Sequence, residues 1–226
     1  GDVGWQLRML DFLGAGDLVQ GWQCTSRRWN AGLLAHRPEV VAALLKSCEV
    51  FATARELRGS SGQRAPHAAV QQQESCLVLR ALGKLGCPMA ARDEDGRTAA
   101  HHAVEWGDVA AIETLKLLGC PLEAKDRDGK TAAHVAVEMS DVKMLRALKD
   151  LGCPLAEQDS EGKTAVHHAA EMGDVEALRA LKELGCPMEV LDNDGKTAAQ
   201  VAAEIGDSDV VQALRELGCT IDERSQ

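Results

Sequence analysis

The chain has 226 residues and a hydrophobic content of 45%, yet aromatics make up only 3% and tyrosine is absent. A core so poor in rings must be built from Ala, Leu, Val and Met, and the length suits one or two domains. The net charge of −10 is uneven: residues 1–64 hold eight Lys/Arg against six Asp/Glu, and residues 65–226 hold seventeen against twenty-nine, so the acidic C-terminal body argues against a nucleic-acid partner.

Residues 1–58 come first. Trp5, Leu7, Met9, Leu10, Phe12 and Leu13 crowd into nine positions, and Gly14-Ala15-Gly16 breaks the run. Asp17 suits a helix N-cap, and Leu18, Trp22, Trp29, Leu33 and Leu34 follow. Further helix is expected from Pro38 to Leu57. So much apolar surface on so small a module predicts that it docks on something. The pattern LRMLDFLGAGDLV followed by SRRWNAGL resembles an F-box, although the leading Leu-Pro of that family is absent. The resemblance implies that Leu7, Leu10, Phe12, Leu13, Leu18 and Trp29 contact the small adaptor subunit of a cullin-type ubiquitin ligase. The other reading is a helical cap over the end of the neighbouring domain. Gly59-Ser60-Ser61-Gly62-Gln63 reads as a flexible linker, giving a boundary at 59–64 and a second domain over 65–226.

The second domain repeats. Cys87, Cys120, Cys153, Cys186 and Cys219 fall at intervals of 33, as do Gly96, Gly129, Gly162 and Gly195, and Thr98, Thr131, Thr164 and Thr197. The segments DGRTAAHHAVEWGDV, DGKTAAHVAVEMSDV, EGKTAVHHAAEMGDV and DGKTAAQVAAEIGDS align without gaps, and GQRAPHAAVQQQESCLVLRALGKLGC is a degenerate leading copy. Within a unit, Thr98 is placed to cap a short Ala-rich helix that stops at Gly107. Asp108 caps a second helix carrying Val109, Ile112, Leu115 and Leu118 as a stripe. Gly119 suits the left-handed residue ending that helix, and Pro121 blocks its continuation. These columns resemble the ankyrin repeat, whose signature is D-x-x-G-x-T-P-L-H, then A-A-x-x-G, then an apolar helix ending in G-A. Thr98, His101, Ala103, Gly107 and Gly119 stand in the matching places. So do Thr131 with His134, Thr164 with His167, and Thr197 with Gln200. T-P-L reads T-A-A or T-A-V here, and G-A-D reads Gly-Cys-Pro. The expected fold class is therefore all-α: four clear 33-residue repeats and one degenerate repeat stacked as a solenoid, preceded by the F-box-like module. One unit cannot bury its apolar face alone, so the units must stack.

Chemistry is sparse. Eight cysteines include no C-x-x-C pair, and equivalent positions in stacked units sit too far apart for a disulfide. Reduced structural thiols are expected, in an intracellular reducing compartment, cytoplasm or nucleus. No signal peptide is visible, and because the chain opens on Gly1 a removed targeting segment stays open. No stretch of about 20 apolar residues offers a membrane helix. The resemblance gives His101, His134 and His167 a packing role, each ring bonding loop backbone. His102 and His168 lack metal-motif spacing, and no phosphate loop or nucleophile elbow occurs. The expectation is no enzyme, no cofactor and no metal.

Ankyrin partners usually meet the loop tips and first helices. The expected partner-binding residues are Trp106, Met139, Met172 and Ile205, flanked by Glu105, Glu138 and Glu171 and by Arg97, Arg127 and Lys130. The framework barely varies between units, whereas the Trp/Met/Met/Ile column and the tips do. Neutral drift on a solvated surface explains that as well as a binding face does. The function expected is a protein–protein adaptor. Such an adaptor recruits a target through the repeats to a ligase docked on the N-terminal module. The alternative is a structural subunit held in a larger complex.

Overall fold

The computed structural model describes residues 65–71, 75–84 and 86–220. The expected F-box-like module, the linker and the docking residues Leu7, Leu10, Phe12, Leu13, Leu18 and Trp29 lie outside the described residues. Every regular element among those described is a helix. The chain divides into two compact units, meeting in sequence between Cys120 and Pro121.

Among its described residues the first unit contains two helix pairs: α1 (Ala65–Val70) with α2 (Ser75–Lys84), and α3 (Ala99–Glu105) with α4 (Val109–Leu117). Like packs on like, α1 on α3 and α2 on α4. The degenerate leading copy thus forms a helix pair packed on the next one, and Ser75 Oγ donates to Asp108 Oδ2 at 2.5 Å across the pair. The second unit holds three pairs: α5 (Ala132–Glu138) with α6 (Val142–Asp150), α7 (Ala165–Glu171) with α8 (Val175–Glu183), and α9 (Ala198–Ile205) with α10 (Ser208–Glu216). First helices stack in the order α5, α7, α9, and second helices in the order α6, α8, α10.

Alanine makes that stacking possible. Ala99, Ala100 and Ala103 on α3, and Ala132, Ala133 and Ala136 on α5, are all fully buried. The second helices supply bulk through Ile112, Leu115, Leu145, Leu148, Leu178, Leu181 and Leu214, also fully buried, each burial being worth about 1.5–3 kcal/mol. Val109 and Leu118, expected in that stripe, are only half-buried. Ala111 and Thr114 complete the α4 face instead.

From α4 onward, every second helix starts on aspartate. Asp108 Oδ1 accepts from the Ala111 N–H at 2.9 Å, Asp141 from Met144 at 3.0 Å and Asp174 from Ala177 at 2.9 Å, satisfying donors that the first turn leaves without helical partners. Each ends in a left-handed glycine, with φ +79° at Gly119 and +75° at Gly152. The next N–H then folds back on the helix, Cys120 to the Leu115 carbonyl and Cys153 to Leu148, both at 2.9 Å. That bond belongs to the Schellman C-terminus, where an apolar side chain at the second position beyond the helix packs inward. The motif explains the periodic cysteines: Cys87, Cys120, Cys153, Cys186 and Cys219 are small apolar plugs, all buried.

The first helices stop on a left-handed residue too, Gly107 at φ +67° and Gly173 at +75°, but in one repeat the post is held by Ser140 at φ +53°. A side chain there meets the following carbonyl, at a cost of about 1–2 kcal/mol. Part of that cost is offset by the lower entropy of unfolded serine relative to glycine. Ser140→Gly is expected to stabilise the protein by about 0.5–1 kcal/mol, read as a melting-temperature rise of about 2–3 °C. An unchanged or lower melting temperature would show that the Ser140 backbone is not strained.

Candidate protein-interaction surface

From α3 onward, each first helix closes on Glu followed by a large apolar residue. In the first unit Trp106 is 62% exposed; in the second Met139 and Met172 are each 49% exposed and Ile205 is 55% exposed. Trp106, Met139 and Met172 are the helix C-caps, and Ile205 is the last residue of α9. The left-handed residue that follows turns the chain away, so these side chains face water although most residues of α3, α5 and α7 are buried.

The charged rows beside this column pair with one another. The Lys130 ammonium bonds Glu138, Lys163 reaches Glu171 at 2.6 Å and Glu161 at 2.8 Å, Lys196 reaches Glu204 at 2.6 Å, and in the first unit Arg97 lies 3.8 Å from Glu105. The Glu138 hydrogen bond raises the Lys130 pKa, and those from Glu161 and Glu171 raise that of Lys163. Exposed pairs of this kind contribute about 0–1 kcal/mol each. Their main effect is to neutralise the flanks and leave the apolar column as the distinctive feature. Arg127 is exposed on its turn.

The loop tips are less independent than their variability suggests. Within the second unit Lys125 Nζ donates to the Gln158 carbonyl at 2.7 Å and Gln158 Nε2 to that of Leu191 at 2.8 Å. The Ser160 N–H donates to the Asp128 carbonyl at 2.9 Å, and Asn193 to Glu161 at 3.0 Å. A methyl group built on Gly129 would stand 2.5 Å from the Ser160 nitrogen. Glycine is needed there for close approach as well as for its φ of +77°.

Two sets of residues behind these turns went unassigned in the sequence. Asp93, Asp126, Asp159 and Asp192 hold the turns together, each Oδ1 accepting two backbone N–H groups; for Asp126 these come from Asp128 at 3.0 Å and Lys130 at 2.8 Å. The D-x-x-G part of the repeat signature was the available signal. His102 and His168, the second members of His-His doublets, each place Nε2 2.8 Å from a turn aspartate, Asp93 and Asp159 respectively. Burial alone would raise these two carboxyls. The histidine hydrogen bonds and the backbone N–H groups outweigh it and hold both below the usual aspartate range.

The histidine three residues beyond the capping threonine bonds loop backbone, as expected. The His134 Nδ1 accepts from the Thr131 N–H at 3.0 Å while its Nε2 meets the Lys163 carbonyl at 3.2 Å. His167 repeats this with Thr164 and Lys196, both at 3.2 Å. In the leading copy, His67 Nε2 meets the Arg97 carbonyl at 3.0 Å. Only a neutral ring with its proton on Nε2 satisfies both contacts. Hence Thr caps the first helices reciprocally with the residue three further on, in a box whose second member is His rather than Glu.

A family profile described as Ankyrin repeats (3 copies) matches residues 67–159, 110–191 and 150–225, together well over half of the chain. The chain belongs to the ankyrin-repeat family. A comparison with curated proteins finds no match. Ankyrin repeats indicate a protein–protein interaction role and are typically non-catalytic modules. Among the described residues no helix is long and apolar enough to cross a membrane.

The periodic ankyrin thiols are buried rather than exposed to chemistry. Cys186 and Cys219 are free thiols. Burial pushes both above their ordinary pKa, which keeps them protonated and slow to react. The sequence offers no metal spacing, but the ankyrin stacking brings His67, Asp93 and His102 together, with one donor atom of each lying within 4.8 Å of the others.

Proposed function

We propose that this ankyrin-repeat chain is a non-catalytic adaptor. It holds a protein target against the ends of its first helices, at Trp106 in the first unit and at Met139, Met172 and Ile205 in the second. The observation that carries this reading is the exposure of those four large apolar side chains at one repeat position. Trp is among the commonest anchors of interfaces, and Met reshapes readily against a partner. Glu105, Glu138, Glu171, Arg97 and Lys130, largely engaged with one another, supply a polar rim, and Arg127 adds a charge at a turn tip. The same reading gives the N-terminal module the task of docking on the small adaptor subunit of a cullin-type ubiquitin ligase through Leu7, Leu10, Phe12, Leu13, Leu18 and Trp29. What supports that part is the F-box-like pattern of those residues.

The test has two arms. Proteins that co-purify with the chain are identified, and the target is titrated against variants by calorimetry. Trp106→Ala and Met139→Ala are each expected to weaken target binding about tenfold or more, whereas Lys130→Ala changes it less than about threefold. Unchanged affinity in both apolar variants removes this surface. Phe12→Asp with Leu13→Asp is expected to abolish capture of the ligase subunit and to leave the target bound. Retained capture ends the F-box reading, and constant stoichiometric recovery of one large assembly with every variant favours a structural subunit instead.

A further inference from the structure

We propose that His67, Asp93 and His102 form a binding site for a single divalent transition metal, with Zn2+ the best match. Two imidazoles and a carboxylate are the borderline donors that Zn2+ prefers. Among the described residues this trio is the group whose donor atoms gather within 4.8 Å. Four-coordinate Zn2+ holds its ligands at about 2.0–2.2 Å, so donors about 3.3 Å apart suffice. His102 Nε2 and Asp93 Oδ2 are already 2.8 Å apart, and the His67 ring stands edge-on to His102 with centroids 5.4 Å apart. Small side-chain rotations close the remainder.

The surroundings suit a cation. Asp93 is fixed through its other oxygen, which accepts from the Asp95 N–H at 3.0 Å and the Arg97 N–H at 2.8 Å, so Oδ2 is aimed before any metal arrives. The far nitrogen of His102, Nδ1, lies 3.5 Å from Glu105 Oε2. A metal-bound histidine commonly gives its other N–H to a carboxylate, which orients the ring and raises its basicity. When Zn2+ takes Nε2, the ring proton moves to Nδ1, facing Glu105. His67 gives up its Nε2–H contact with the Arg97 carbonyl, its ring proton moving to Nδ1 or leaving to solvent as Nε2 takes the metal, which keeps the affinity moderate. The trio leaves one coordination position for water.

A second cluster supplies the internal comparison. His134 and His168 are also edge-on, at 5.3 Å, and His168 also meets an aspartate, Asp159. There the carboxylate corresponding to Glu105, Glu171, is held by Lys163 at 2.6 Å, much closer than the 3.8 Å between Arg97 and Glu105, and the donors do not gather to the same degree. The fold therefore offers two His–Asp–His clusters but one site.

The test uses the full chain, reduced and stripped of metal. Co2+ is followed by visible absorption and Zn2+ by calorimetry. One equivalent is expected to bind with the intensified bands of a four-coordinate cobalt centre lacking thiolate charge transfer, and excess Zn2+ raises the melting temperature by about 5 °C or more. His102→Val and Asp93→Asn are expected to weaken binding at least about tenfold, and Glu105→Gln about tenfold. Both core variants are compatible with the fold: valine fills the His102 position in two other repeats, buried as Val135 and Val201, and an asparagine oxygen still accepts the turn N–H groups. His168→Val is expected to leave binding unchanged. Absence of binding at millimolar metal, undiminished binding in His102→Val, equal loss in His168→Val, or a thiolate spectrum would each overturn the site.

Discussion

His134→Ala is expected to destabilise the protein by about 3–5 kcal/mol and to lower its melting temperature by about 10 °C. The ring is fully buried, so its removal opens a cavity. It also strips partners from two backbone groups, the buried Thr131 N–H at 3.0 Å and the part-buried Lys163 carbonyl at 3.2 Å. Each orphaned group costs about 1–3 kcal/mol. His134→Gln separates these contributions. Gln200 occupies the same position in the last repeat, where its Oε1 accepts from the Thr197 N–H at 2.9 Å. The glutamine variant keeps the cap and gives up the imidazole's reach to the next turn, so its loss is expected to be about 1–2 kcal/mol. Equal melting temperatures for wild type and His134→Ala would show that the histidine column does not tie one repeat to the next.

Stability is expected to fall by about 3 kcal/mol from His134 alone as the pH drops from 6.5 to 4. Burial pushes this imidazole down from 6.5 to about 4, with the neighbouring His168 adding to the effect. The Lys163 carbonyl, Asp159 and Glu138 oppose it and lose. Between those two pH values the unfolded chain takes up a proton that the folded chain refuses, so stability rises with pH across the window. The contribution is complete above 6.5 and gone once the pH has fallen through 4, each tenfold rise in proton concentration on the way removing about 1.4 kcal/mol. Burial lowers His167 in the same direction. Asp93 and Asp159, held below their usual value of 3.8, contribute with the same sign in a lower window. Their stabilisation is present above 3.8 and lost as the pH falls through the folded values. Urea melts of wild type and His134→Gln at about pH 7, 5.5 and 4.5 check this. The glutamine variant is expected to be the flatter of the two, and parallel pH profiles would mean that His134 is already protonated in the fold.

Much of this architecture was legible because a repeat prints its own alignment. Thr98, Asp108, Gly119 and Cys120 recur at one interval, and each is a local device: a cap, a second cap, a left-handed terminus, a plug. Such devices act within four or five residues, so composition and spacing suffice to find them. The exposed Trp106, Met139, Met172 and Ile205 column was legible for the same reason, being tied to helix ends that the glycines mark.

What stayed hidden depends on chain segments that meet only after stacking. Lys130 precedes its helix and Glu138 ends it, a separation no helical period predicts, and only the fold turns the two rows into closed ion pairs. His102 reads as one half of a doublet, but Asp93 lies nine positions earlier on a turn and His67 belongs to the preceding repeat. The order of residues determined that this chain would form paired helices with buried small residues and capped ends, because those preferences are set by each residue and its near neighbours. The tertiary structure alone decided which polar groups meet across helices and turns, because those contacts depend on how one repeat is placed on the next.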